Sequence, residues 1–299
     1  SSSHNSAGVA MACRAARPHP WRPRLRWGKL TAGALLCGLP MPTTWAAVKS
    51  VKSALVVMPP VRLWDPIQRI RQSRDKGFYR WMPHINVLYP FLEDSDDTFA
   101  DAAESARQAL RDLTPFSLHL REFDFFEHSR KSCTVWLRPG SEAGPKDSGK
   151  ETETSPHLQK LHSRLLEAFP NCTDLSDDLS RGIERFAPHL SVGGWRGPVE
   201  AKSAVESLGQ SWAPLSFPVE SVYFISRQTF NQPFQVRWAI PLGEGNEPEQ
   251  VNLRYAARLE DGSFDSKDVW ELGRKRAGAG YFRGRDRAAK PWDLFADAE

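Results

Sequence analysis

Cysteine is scarce here: four in 299 residues, with no C-x-x-C pair and no spacing that suits a zinc site. That excludes a disulfide-built scaffold and a metal-built module. Cys13 and Cys37 fall in a basic leader, so Cys133 and Cys172 are expected as reduced structural thiols. No run of about 18 apolar residues occurs, which excludes a membrane-spanning helix. Acid is missing from the first 64 residues, which hold nine Arg or Lys and no Asp or Glu. Residues 65–250 reverse the balance, with 21 basic and 27 acidic side chains. Residues 274–290 then carry seven Arg or Lys against Asp286 alone. The formal net charge of +4 therefore hides a net acidic body between two basic ends. Attraction for a polyanion resides in those ends, not in the body as a whole.

Residues 1–50 read as a basic leader rather than as fold. Leu30 to Leu39 is apolar, and Thr44-Trp45-Ala46 resembles a small-residue cleavage site. The segment is either a targeting sequence for organelle import or secretion, or a disordered tail on a cytoplasmic protein. The folded part is expected to begin near Ser53. Ala54 to Met58 reads as a buried strand, and Asp65 as the cap of a helix with Pro66 in its first turn. A second helix is expected from Asp96 or Asp97 to about Leu113, then strands at Phe116–Leu120 and Cys133–Leu137, the latter pair forming a hairpin. Residues 139–155 lack a hydrophobic period and read as a mobile loop. A helix with Leu158, Leu161 and Leu165 on one face follows. Val199 to Leu208 reads as another helix, and Phe217–Ser226 and Phe234–Ile240 as two strands. Residues 244–299 form a basic Gly/Arg-rich tail, too short to bury a core alone.

Two stretches organise the rest. Pro83-His84-Ile85-Asn86-Val87 and Pro188-His189-Leu190-Ser191-Val192 share one order: proline, histidine, aliphatic, small polar, valine. Each is followed by a helix and two strands at loosely matching offsets, which suggests two similar lobes with their histidine strands side by side or face to face. His4-Asn5-Ser6 has the same tripeptide spacing but lies in the leader, outside any strand.

A strand's period of two places each histidine and its polar neighbour on one face, about 6–7 Å apart. Two such strands brought together offer two imidazoles and two hydrogen-bond donors to one anionic group. A phosphodiester matches that set. A neutral imidazole takes a proton from the attacking oxygen while a protonated one supplies the leaving oxygen. The Asn86 amide and the Ser191 hydroxyl would hold non-bridging oxygens. No metal or other cofactor is required. A metal-dependent hydrolase is the weaker alternative, because no nearby carboxylate or cysteine completes a ligand set.

These residues resemble the two-histidine (2H) phosphoesterase superfamily, the 2′-5′ RNA ligase-like or cyclic phosphodiesterase proteins. The likeness runs over roughly residues 53–243. It includes Trp81-Met82-Pro83-His84 through Tyr89-Pro90-Phe91, then Ser132 to Leu137, and Phe186 to Gly193. It implies an α+β, bilobal, pseudo-symmetric fold of two antiparallel sheets flanked by helices, with the histidine strands facing a central cleft. It also implies a metal-independent phosphoesterase acting on a 2′,3′-cyclic phosphate or 2′-5′ phosphodiester of a nucleotide or RNA end. The catalytic pair would be His84 and His189. Asn86 stands where the family has Thr or Ser, so altered specificity or rate is expected. A monomer is expected, with the RNA end or cyclic nucleotide as its partner. The alternative from another class is a non-catalytic RNA-end binder on the same fold.

Trp81, Tyr89, Phe91 and Trp195 are candidates to stack on a base or to pack as core. Arg130 and Arg196 are the body arginines placed nearest to phosphate. His119 is expected to face solvent, His128 to sit in a loop, and His157 and His162 to lie on a helix surface.

Overall fold

Strands and helices follow the hydrophobic pattern through the described part of the chain. In order they are β1 (Lys49–Ser50), β2 (Ser53–Val57), α1 (Trp64–Arg74), β3 (Ile85–Leu88), β4 (Phe91–Leu92), α2 (Asp96–Leu110), β5 (Phe116–Ser129) and β6 (Ser132–Gly140). Then come α3 (Pro156–Ala168), β7 (Leu190–Trp195), α4 (Gly197–Ser211), β8 (Leu215–Val219), β9 (Ser221–Ser226), β10 (Gln235–Pro241), β11 (Glu249–Tyr255) and β12 (Trp270–Leu272). The computed structural model describes residues 48–141, 155–257 and 269–272. The chain divides into two units, residues 1–44 and 45–299. The leader up to residue 47, most of the 139–155 loop and the 274–290 run lie outside the described residues.

Two antiparallel sheets carry the fold, with helices against them. One has the order β12-β11-β10-β9-β2-β3, the other β7-β6-β5-β8, and β1 pairs with β4. Their connectivity is interlocked. The β5–β6 hairpin, which follows the first histidine strand, pairs with β7 of the second. The β9–β10 pair, which follows the second, takes in β2 and, through it, β3. Each histidine strand is thus the last strand of its sheet, and β3 and β7 lie against one another.

β2 is buried at all five positions because both its faces are covered. Leu55 and Val57 enter a large core shared by the sheets with α2, α3 and α4. Ala54 and Val56 enter a second core with Trp64, Phe78, Met82, Phe234 and Tyr255. Ile85 and Val87 of β3, and Leu190 and Val192 of β7, all belong to the first core. Asn86 pairs with Val56, and Ser191 with Trp136, so both polar residues take the opposite faces of their strands. Both strands also carry a β-bulge at the same place. The register slips across Val87 in β3 and across Val192 in β7, in each case directly after the polar residue.

Several expectations are corrected. Asp65 does not cap α1, whose N-cap is Leu63 without a side-chain bond; Asp65 instead pairs with Arg69 one turn on, at 2.9 Å. The cap of α2 is Ser95, whose hydroxyl accepts from Thr98 N at 3.2 Å. Phe217–Ser226 is two strands, β8 and β9, which part at Glu220 into different sheets. His119 is buried, its Nδ1 2.6 Å from Ser216 Oγ on the neighbouring strand β8. His162 is buried too, with Nδ1 3.0 Å from Val87 O and the ring stacked on Phe186. It serves the carbonyl of the bulged residue in β3. His128 belongs to β5, not to a loop.

The sheet also runs past residue 243, where the sequence suggests a boundary. β11 pairs with β10 and β12 with β11. Val251, Leu253, Tyr255, Val269 and Trp270 are all buried in the second core. These strands need no core of their own, because they complete one built mainly from residues 54–82 and 225–236.

Candidate functional site

Each histidine sits one residue before its strand, directly after a proline. His84 Nδ1 lies 2.7 Å from Met82 O, and His189 Nδ1 lies 2.9 Å from Ala187 O. In both, a carbonyl two residues upstream holds the Nδ1–H tautomer, leaving Nε2 as the nitrogen free to exchange a proton. The sequence Met-Pro-His or Ala-Pro-His favours this geometry, since proline fixes φ and removes a competing N–H.

Their surroundings differ. His84 is half-buried and stacks on Trp81 at 4.7 Å and 15°. Trp81 in turn packs on Phe234 at 3.9 Å, and the Arg227 guanidinium lies 5.6 Å from its ring. Burial pushes the His84 imidazole down to about 4, opposed by its bond to Met82 and helped by the charges of Arg71 and His189. β3 and β7, the strands that follow the two histidines, lie against one another. His189 meets Phe126 edge-on at 4.9 Å and Trp136 at 5.9 Å. Burial lowers its pKa as well, opposed by the Ala187 bond and reinforced by the nearby His128.

The segment bearing His84 is braced from behind. Arg71, buried on α1, donates to Trp81 O at 2.8 Å, to Asp75 at 2.7 Å and to Gln68 Oε1 at 2.7 Å. Gln68 Nε2 then donates to Tyr255 OH at 2.6 Å. A hydrogen-bonded chain thus joins the loop before His84 to β11. Behind β7, the α1 backbone crosses closely at Gly193, where a Cβ would lie 2.4 Å from Arg74 Cβ.

Asn86 and Ser191 are half-buried, each two residues beyond its histidine. The Asn86 Oδ1 atom is buried without a hydrogen-bond partner, as is Trp136 Nε1 beside His189. Of the other candidates, Trp81 stands against His84. Tyr89 contacts Trp81 edge-on at 5.7 Å, and its hydroxyl donates to Val51 O. Trp195 is half-buried under the Arg74 guanidinium, 5.4 Å from its ring centre. Phe91 is wholly buried in core, away from any stacking role. The Arg130 and Arg196 side chains are exposed. Sequence reasoning missed Phe126, Trp136 and Arg71. The β5–β6 alternation contained a signal for the first two, while nothing in the sequence joins Arg71 to Trp81. Among the described residues, no group of three or more His, Cys, Asp or Glu is placed to hold a metal ion. None of the described helices is long and apolar enough to cross a membrane.

The two histidine strands, β3 and β7, meet where the two antiparallel sheets adjoin. The family model of the 2′-5′ RNA ligase superfamily matches residues 59–230, and the chain belongs to that family. Phosphoesterase-type activity goes with it. Solved structures with a similar fold share little sequence. TT0787 of Thermus thermophilus has 17% identity, covers 65% of this chain and 99% of its own, with a TM-score of 0.39. Escherichia coli LigT complexed with NADP+ has 14% identity, covers 66% and 100%, with a TM-score of 0.38. Kluyveromyces marxianus Usb1 has 12% identity, covers 64% and 97%, with a TM-score of 0.33. A comparison with curated protein sequences finds no match.

Proposed function

We propose that this protein cleaves or transfers at a 2′,3′-cyclic phosphate or 2′-5′ phosphodiester of a nucleotide or RNA end, with His84 and His189 exchanging the protons. The matched Nδ1 tethers carry this reading, since they leave the Nε2 atom of each histidine free to exchange a proton. His84, whose neutral form burial favours, acts as the resident base. It takes a proton from the attacking hydroxyl or water as the new P–O bond forms. His189, protonated, gives its proton to the leaving oxygen as the old P–O bond breaks. Asn86 and Ser191 donate to the non-bridging oxygens, where negative charge grows in the transition state. Trp81 keeps the His84 ring in plane and water away from one of its faces.

The test is turnover of a 2′,3′-cyclic nucleotide by His84→Ala, His189→Ala and the double variant. Each single variant is expected to lose about 10²–10⁴ in kcat/KM. The deficit of the double variant should fall well short of the product of the two, because the residues act as one unit. Full activity in the double variant would sink the proposal.

A second reading has an observation in its favour. Burial disfavours the protonated form of both imidazoles, and catalysis by the pair needs one proton between them. An RNA-end binder needs none. Tight binding of a cyclic-phosphate oligonucleotide, with no product at any pH from 5 to 8, would favour it.

A further inference from the structure

Strand register puts more beside His189 than the histidine motif accounts for. Phe126 pairs with Thr134, and Asp124 with Trp136, so these side chains share one face of the β5–β6 hairpin. That face is the one on which His189 rests, through Phe126 and Trp136. Phe126 and Trp136 stack on each other at 4.8 Å and 25° and form an aromatic floor next to the proton-transfer site. Trp136 is 8% exposed, yet its Nε1 donor is unpartnered.

The hairpin then bulges. Glu127 pairs with Cys133 but Ser129 pairs with Ser132, which makes His128 the extra residue. Bulges re-aim side chains, and here the exposed His128 turns back so that its Nε2 lies 2.9 Å from Thr134 Oγ1. The imidazole is thereby fixed on the floor's side, near enough for its charge to be felt at His189. Two steps beyond stand Arg130 and Lys131, both exposed. The turn itself is braced: a Cβ on Gly197 would lie 2.5 Å from Arg130 O, so α4 begins directly against it. Acid is kept off this path. Glu127, paired with Cys133, takes the other face, and Asp124 is bound to Arg138 at 2.5 Å.

We propose that the substrate is an RNA strand rather than a mononucleotide, and that nucleotides flanking the scissile phosphate lie along the β5–β6 hairpin. A base stacks on Phe126, and the flanking phosphates meet His128, Arg130 and Lys131. The path from Phe126 to Arg130 is roughly 13 Å at about 3.3 Å per residue, too long for the sugar of a single nucleotide. Basic side chains and an aromatic surface on one track are what single strands need, charge for the backbone and a π-face for any base. This inference rests on the His84–His189 site handling a phosphodiester.

The experiment compares a six-nucleotide RNA ending in a 2′,3′-cyclic phosphate with a 2′,3′-cyclic mononucleotide, using the full chain and Arg130→Gln/Lys131→Gln. Turnover gives kcat/KM for each substrate, and fluorescence anisotropy gives RNA affinity across a salt series. The wild type is expected to favour the RNA by about tenfold or more in kcat/KM. The double variant should bind RNA about tenfold more weakly at low salt. Its log affinity should also fall less steeply with log salt, by about 1.4, or about 0.7 for each single-strand phosphate that the variant no longer neutralises. Equal RNA affinity and equal salt slope in the two proteins would overturn the inference, as would a wild type indifferent to RNA length. If the two proteins differ in RNA binding but neither turns over either substrate, the hairpin track stands and the acid–base reading of the histidines falls.

Discussion

β3 and β7 are built alike and housed differently. Both follow a proline, tether Nδ1 to a carbonyl two residues back, send two aliphatic side chains into a common core and bulge after the polar residue. Yet His84 stacks flat on an indole, backed by a buried arginine network, while His189 stands edge-on to a phenylalanine beside a third histidine. Duplicated backbone sets where the two nitrogens are. The walls around them are unlike. A symmetric frame can therefore hold two imidazoles in unlike surroundings.

The comparison can be broken from the His84 side by removing a part of the chain remote in sequence. Truncation after residue 245 deletes β11 and β12 and uncovers Ala54, Val56 and Trp64 in the second core. It also strips Tyr255 from Gln68, leaving the Arg71 network open at one end. The truncated protein is expected to show no cooperative thermal transition by circular dichroism. Retention of the full-length melting temperature would mean that the His84 sheet does not need its last strands.

The His189 side has its own weak point at Gly193. Its φ of 149° is a conformation that side chains rarely adopt, and a Cβ there would collide with α1. Gly193→Ala should cost about 3 kcal/mol, from backbone strain and overpacking together. Gly194→Ala meets nothing closer than 3.8 Å and should change stability by less than about 0.5 kcal/mol. Urea denaturation of the two variants separates these outcomes, and equal stabilities would remove the close crossing of α1 over β7. β3 carries Leu88 after its bulge, so the constraint belongs to one lobe only.

The smallest effect sharpens the electrostatic half of the comparison. Burial disfavours the charged form of an imidazole, so both pKa values lie below the usual ~6.5. The form with one proton on the pair is scarce at neutral pH and grows as pH falls. From pH 8 downward, kcat/KM should therefore rise with acidification, by at most about tenfold per unit, with its optimum below ~6.5. The profile of kcat should sit at higher pH, because a bound phosphate anion favours the protonated imidazole. An optimum of kcat/KM above pH 7 would contradict the burial of the pair.

The two histidine strands and the hairpin were legible because they depend on local order: proline before histidine, and alternation within each strand. The same alternation failed at His119, where a neighbouring strand, β8, covers a position that the strand's own pattern exposes. His162 looked like a surface residue because its function, bonding the carbonyl of a bulge 75 residues away, has no trace in its helix. The run at Phe217–Ser226 hid a change of sheet, since both parts are apolar and only the pairing partners differ. Tyr255 and Trp270 fall in what reads as a basic tail because their partners lie nearly two hundred residues upstream. Sequence pattern reports which face of an element is apolar. It does not report which distant element will cover it.

The interlocked sheets carry a consequence for the birth of the protein. β2 and β3 emerge first, yet the ladder that joins them to the rest of their sheet runs through β9, which is made some 165 residues later. β5 and β6 likewise wait for β7 before their sheet gains its histidine. Neither half of the duplication can fold ahead of the other, and folding must close long loops before those contacts form. A ribosome holding the first two-thirds of this chain holds His84 and His189 without β9, the strand that joins β2 and β3 to the rest of their sheet.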